Sequence, residues 1–245
     1  MALPKVNVMT YTLTLPSTGK KLEYRPFLVK EEKVLMMAMQ SGENKDMVRA
    51  LREIIDSCVE DKIDTKSLPM FDIEYIFLQL RARSIGEKIP IEYTLPDDKC
   101  EKSKSNANCR YTTEIDVDEI KVEKDEKHKD IIDLNDNIKI KLKYPKIESS
   151  TDIAGLEGKK LVDKTFEMIG DCIEYIMEGE EMHQTSDYTK KDIDEFLNSL
   201  SSGQFKNIQE FFDTMPKVRK EVTGKCQSCG KENTRILEGM GDFFA

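Results

Sequence analysis

Four of the six cysteines constrain this chain more than any other feature. Cys226-Gln-Ser-Cys229 is followed at once by Gly230, and Cys100 and Cys109 stand more than a hundred residues upstream. Two thiolates two residues apart, with a glycine behind them, curl the backbone around one side of a metal ion. A second pair brought in by the fold completes a tetrahedral four-cysteine site, the usual shape of a structural zinc centre. Such a site clips the middle of the chain to a distant hairpin and leaves no open coordination position for catalysis. A redox Cys-x-x-Cys normally opens a helix, where the dipole lowers the thiol pKa. Here Gly224 and Lys225 precede the motif and Gly230 follows it, which suggests a turn. An iron-sulfur cluster, a redox pair and unliganded thiols remain the other readings. Cys58 and Cys172 differ, because each falls on an i, i+3, i+4 apolar pattern that places it in a helical core.

The chain has 245 residues, enough for one large domain or two small ones, and 35% of them are charged. A formal net charge of -9 disfavours indiscriminate binding to phosphate backbones, and tryptophan is absent, so no broad stacking platform for single strands is evident. No apolar run approaches the roughly 20 residues needed to cross a bilayer. Met1-Ala-Leu-Pro-Lys-Val-Asn-Val lacks a signal peptide's basic start and hydrophobic stretch. The expectation is a soluble, intracellular protein with no membrane contact.

Pattern and turn signals predict an α+β fold: a helical body with antiparallel β-hairpins and a four-cysteine zinc knuckle or ribbon. Segment 1–86 begins with a hairpin, Val6 to Leu15 and Lys21 to Phe27, turning at Pro16-Ser-Thr-Gly19. Helices follow from Lys30 to Val59, broken near Ser41-Gly42, and a third starts after Pro69 with Asp72 as N-cap. The stretch Leu35-Met-Met-Ala-Met39 is expected to pack in the core, with an adaptable contact surface as the other reading. Segment 87–148 is β-rich and carries the first cysteine pair, with strands at Lys88–Leu95, Tyr111–Val122 and Ile138–Tyr144. The lysine row of the last strand, Lys139, Lys141 and Lys143, is expected on a solvated face. Segment 149–216 is helical: Glu157–Glu178, then Thr189–Leu200 opened by a capping box, then Asn207–Met215. Segment 217–245 is a hairpin with the second cysteine pair at its tip, then an aromatic tail. The four segments are expected to form one or two compact units.

Catalytic signals are weak. His128 and His183 stand in polar loops outside any metal or nucleophile motif, no spacing isolates an acid/base pair, and no phosphate-binding loop appears. The chain therefore reads as non-enzymatic.

An ordered set of motifs spans nearly the whole chain. It runs from Leu15-Pro-Ser-Thr-Gly-Lys-Lys-Leu-Glu-Tyr-Arg-Pro-Phe27 through Ile138-Lys-Ile-Lys-Leu-Lys-Tyr-Pro145. It continues with Gln204-Phe205, Phe211-Phe212-x-x-Met-Pro216, Cys226-x-x-Cys-Gly230 and Leu237-Glu-Gly-Met-Gly-Asp-Phe-Phe244. In this order the chain resembles the baseplate hub proteins of T-even-type contractile-tailed phages, the group holding the hub subunit and the hub assembly catalyst. It departs from that pattern at Cys100 and Cys109, which are too far apart for a tight knuckle. The resemblance implies a non-enzymatic hub component or chaperone-like assembly factor, made late and acting through protein contacts. It implies baseplate hub and central spike proteins as partners, and places the chain in the host cytoplasm during assembly or in the virion tail baseplate. Phe243 and Phe244 are candidate partner anchors, the other reading being that they dock on the chain's own core. The alternative class is a zinc-ribbon nucleic-acid-binding or transcription-accessory protein. It would use Lys99, Lys102, Lys104, Arg110, Lys225 and Lys231, which cluster in sequence about the cysteines. A thiol oxidoreductase is a third reading.

Overall fold

The computed structural model describes residues 7–103, 107–153 and 155–244. Strands β1 (Tyr11–Thr14) and β2 (Lys21–Tyr24) pair antiparallel with Leu13 opposite Leu22, so alternate side chains reach the same buried face. Helices α1 (Val29–Ser41) and α2 (Asn44–Cys58) are separated at Gly42, whose φ of 69° is a left-handed cap. The next helix, α3 (Met70–Ser84), is apolar on two sides. Ile73, Ile76, Phe77 and Leu80 meet Leu22, Tyr24, Leu51, Ile54, Ile55 and Cys58 in one core. Phe71, Leu78 and Ala82 face a second core.

Strands β3 (Lys88–Lys99), β4 (Asn108–Asp116) and β5 (Lys121–Glu123) come next, followed by β6 (Ile131–Asp133) and β7 (Ile138–Leu142). A short helix α4 (Ile147–Ile153) leads to α5 (Gly158–Cys172), then the hairpin β8 (Ile173–Glu178) and β9 (Glu181–Gln184). Helices α6 (Lys190–Ser199) and α7 (Ser202–Thr214) precede β10 (Lys217–Cys226), β11 (Glu232–Glu238) and α8 (Gly239–Phe244). One sheet has the order β11-β10-β4-β3, with β5 also paired to β10, and another runs β6-β7-β8-β9. The first sheet packs on α3 and α8 through Ile89, Tyr111, Val117, Val218, Leu237 and Phe243. The second packs on α5, α6 and α7 through Ile140, Leu142, Ile169, Leu197, Ile208 and Phe211. The expected α+β class is the one observed, and no helix among the described residues is long and apolar enough to cross a membrane.

Several local expectations are corrected. The helix predicted through Glu178 ends at Cys172, and Ile173–Glu178 pairs with β7 as a strand. Its apolar spacing suits a helix, but the exposed edge of β7 captures it, a tertiary override of a local pattern. Helix α7 starts earlier than Asn207, at a capping box between Ser201 and Gln204. Asp72 is not an N-cap. It lies in the first turn of α3, fully buried, and accepts the Ser17 N–H at 3.1 Å and the Ser17 hydroxyl, tying the helix to the hairpin turn. Met36, Met37 and Met39 are exposed, and the inward side of α1 is made by Glu31, Leu35 and Ala38. The run Val34–Met39 within α1 is apolar on every side, so its spacing does not disclose which face turns inward. His128 is buried, with its ring nitrogens at 3.0 Å from the Thr214 hydroxyl and 3.2 Å from the Tyr144 hydroxyl, and its ring against Tyr144 and Phe211. The lysine row needs no such correction: Lys139 and Lys143 are exposed, with Lys139 paired to Asp133 at 3.0 Å and Lys141 to Asp130.

Arg25 and Glu31 fix the junction of β2, α1 and α2. The Arg25 guanidinium reaches Glu31 at 2.8 Å and the carbonyls of Pro26 and Ser57, while Glu31 also accepts the Leu28 N–H that opens α1. Burial alone would raise the Glu31 carboxyl, but Arg25, the Leu28 N–H and Lys30 hold it below the ordinary carboxylate range. A depressed carboxyl stabilises the fold above the unfolded-state pKa, and this contribution is lost as pH falls through the folded-state value. Glu31→Gln should therefore cost roughly 3 kcal/mol in urea denaturation at neutral pH, with the gap to wild type narrowing under acid.

Candidate metal centre

Two hairpin tips build this site. The N–H of Cys100, just past β3, donates to the Ala107 carbonyl at 2.9 Å, which folds the tip back so that Cys109 enters β4. On the other hairpin, β10 ends at Cys226, whose N–H donates to Lys231 and whose carbonyl accepts from Gly230, both at 2.8 Å. Gly230 has a φ of 82°, the left-handed geometry that carries Cys229 back over the strand end. Strand β10 pairs with β4 at Lys225↔Thr112 and Cys226↔Tyr111, and this register brings the two tips together.

All four sulfur positions lie within 4.8 Å of one another, with Cys100 to Cys226 at 4.0 Å and Cys109 to Cys229 at 3.5 Å. Cys100, Cys109 and Cys226 are buried and Cys229 is half-buried. The Cys229 N–H, aided by those of Ser228 and Arg110, outweighs burial and brings the Cys226 thiol down to about 6. Burial pushes Cys109 up to about 12, and the neighbouring thiols add to that shift. At Cys100 the Lys102 N–H acts downward, but burial and the sulfurs of Cys229 and Cys226 raise the thiol.

A second layer surrounds the sulfurs. The Tyr111 hydroxyl donates to the Asp98 carboxylate, and Lys231 pairs with the same group. Lys231 and Tyr111 hold Asp98 below its usual range, while Asp98 lifts the Tyr111 phenol well above its own. Tyr111 stacks on Tyr93 with centroids 5.2 Å apart, and Tyr93 donates to the Asn233 carbonyl at 2.7 Å. Gly224 makes this possible. It lies within β10 rather than in a turn, and a Cβ there would sit 2.9 Å from the Tyr111 Cβ and 3.0 Å from the Tyr93 ring.

The structure thus brings together Cys100, Cys109, Cys226 and Cys229, and sets apart Cys58, in the core of the β1–β2 hairpin, and Cys172, buried at the end of α5. Four of the six basic residues of the nucleic-acid reading are engaged locally. Arg110 pairs with Glu92, Lys225 with Glu232 and Lys231 with Asp98, while Lys99 bonds Asn108. Lys104 lies outside the described residues. Phe243 is corrected as a partner anchor: it is 1% exposed and belongs to the core beneath the first sheet. Phe244 closes α8, which Arg235–Asp242 at 2.8 Å and the Glu238 N–H to Asp242 fasten to β11. The sequence argument missed Asp98, Tyr111 and Gly224, whose roles arise only from strand register.

The family of T4 bacteriophage base plate proteins matches residues 8–245, and the chain belongs to that family. It is 25% identical over 227 residues to the "Baseplate hub assembly protein gp26" of Enterobacteria phage T4, covering 92% of this chain and 93% of that one. The resemblance carried by the order of motifs is therefore a relationship along almost the whole length. No solved structure matches the chain.

The close approach at Gly224 has a testable sign. Alanine ordinarily suits a strand better than glycine, yet Gly224→Ala should destabilise by about 1–3 kcal/mol, because the tyrosine pair must shift. A thermal melt followed by circular dichroism should show the lower midpoint.

Proposed function

We propose that this chain is a non-enzymatic assembly factor of the baseplate hub of a contractile-tailed phage, acting through contacts with hub and central spike proteins. The observation that carries this reading is the similarity to a hub assembly protein over 92% of the chain and 93% of the relative. A match confined to one sheet would speak for a shared module, whereas this one follows the whole body. Work in host cytoplasm during assembly, and a place in the virion tail baseplate, fit the same role.

Local chemistry favours a protein-binding role over the others. With a metal bound, the four cysteines facing one point would present no free nucleophile to a substrate, and His128 is used in packing against Tyr144 and Phe211. The ion pairs of Arg110, Lys225 and Lys231 remove much of the positive field that a nucleic-acid ribbon needs. An outward face of α1 offers a contact surface instead. Val29, Met36, Met37 and Met39 are 55–66% exposed, and methionine's flexible thioether adapts to varied partners.

Co-expression with hub and spike proteins of the same phage, followed by affinity purification, should recover a complex. Recovery of none of them would overturn the assembly role. A Met36→Lys/Met39→Lys chain should keep its stability to within about 0.5 kcal/mol and recover less partner. Unchanged recovery would move the contact away from α1 without touching the role itself.

A further inference from the structure

We infer that Cys100, Cys109, Cys226 and Cys229 hold one structural zinc ion that pins the tips of the β3–β4 and β10–β11 hairpins together. This inference is independent of the hub role. The donor set is four thiols with no carboxylate or imidazole among them, which selects soft or borderline ions over magnesium or calcium. Zinc–thiolate bonds of about 2.3 Å in a tetrahedron put neighbouring sulfurs roughly 3.8 Å apart. Two of the sulfur separations here are 3.5 and 4.0 Å, and none exceeds 4.8 Å. That spacing fits a single four-coordinate ion, whereas an inorganic-sulfide cluster would hold the cysteines farther apart.

Surroundings of the sulfurs support the same conclusion. Backbone N–H groups of Ser228, Cys229 and Arg110 point at Cys226, and that of Lys102 points at Cys100. Amide donors aimed at sulfur stabilise thiolate, the state a metal requires. Behind the ligands, the Tyr111–Asp98–Lys231 network fixes the strands that carry Cys109 and the Cys226 turn, as outer-shell partners do in metal sites.

The site also answers a need of the fold. Strand β10 is paired with β11 along one edge from Arg219 to Lys225, but on its other edge it is held at its start by β5, through Lys217↔Glu123 to Arg219↔Lys121, and at its end by two register pairs to β4. Four bonds to one ion at that end would lock the short seam, where the ladder alone is thin. A closed tetrathiolate leaves no position for substrate, so the ion's role is cohesion of the sheet.

Elemental analysis of the full-length protein, purified under reducing conditions from zinc-supplemented medium, should find about one zinc per chain. Cobalt exchanged into the site should show the intense visible bands of a tetrahedral tetrathiolate. Cys229→Ser should lose most of the metal and melt at lower temperature, while Cys58→Ser should keep full occupancy. Absence of metal, iron in its place, or full zinc in Cys109→Ser would each overturn the assignment. Two disulfides found by intact mass in the freshly purified chain would do the same. If Cys229→Ser fails to fold, the wild-type stoichiometry and the cobalt spectrum still decide.

Discussion

Helix α3 is the constraint on which the rest of the molecule depends. It is buried on two sides, giving Ile73, Ile76, Phe77 and Leu80 to the core of the β1–β2 hairpin and Phe71, Leu78 and Ala82 to the core of the cysteine-bearing sheet. Each fully buried side chain of this kind contributes roughly 1.5–3 kcal/mol, so one helix glues two cores that share little else. Its first turn is fixed from outside by Ser17 on Asp72, and Phe71 meets the edge of Tyr144 at 5.2 Å. Tyr144 in turn stacks on Phe211, in the core of the other sheet. Packing passes from one core to the next through these rings.

Where structure follows from neighbours in sequence, it was legible. The turn at Gly19, the break at Gly42, the alternating strand Ile138–Leu142 and the knuckle behind Gly230 are each specified by a few adjacent residues. The alternative that Phe243 docks on its own core was also visible as a possibility, and burial decided it. What escaped depends on partners distant in the chain. The residues Ile173–Glu178 carry apolar spacing that suits either a helix or a strand, and only the free edge of β7 makes the choice. The outward turn of Met36, Met37 and Met39 depends on which side of α1 meets α2. Gly224 reads locally as turn punctuation, yet it is a strand residue made necessary by two tyrosines from β3 and β4.

Family membership and local geometry constrain different things. Similarity to a hub assembly protein runs along almost the whole chain, so the family relationship belongs to the entire body and not to one sheet. The four cysteines bear on the integrity of one sheet, and the exposed α1 face on what that body can touch. These two features lie in different cores, so a change at one need not disturb the other.

The arrangement of strands also sets an order of events during synthesis. Strands β3, β4 and β5 leave the ribosome well before β10, with the β6–β9 sheet and its helices made in between. At ordinary translation rates that interval is roughly 5–20 s. Throughout it, Ile89, Ile115 and Val117, which end up buried, belong to a sheet still missing its inner neighbour β10. The later sheet can complete itself first, as an insertion folding inside an unfinished one. Until β10 slots between β4 and β11, the open edge of β4 is a template for strands of other chains. Closing that edge is therefore the step that removes the template.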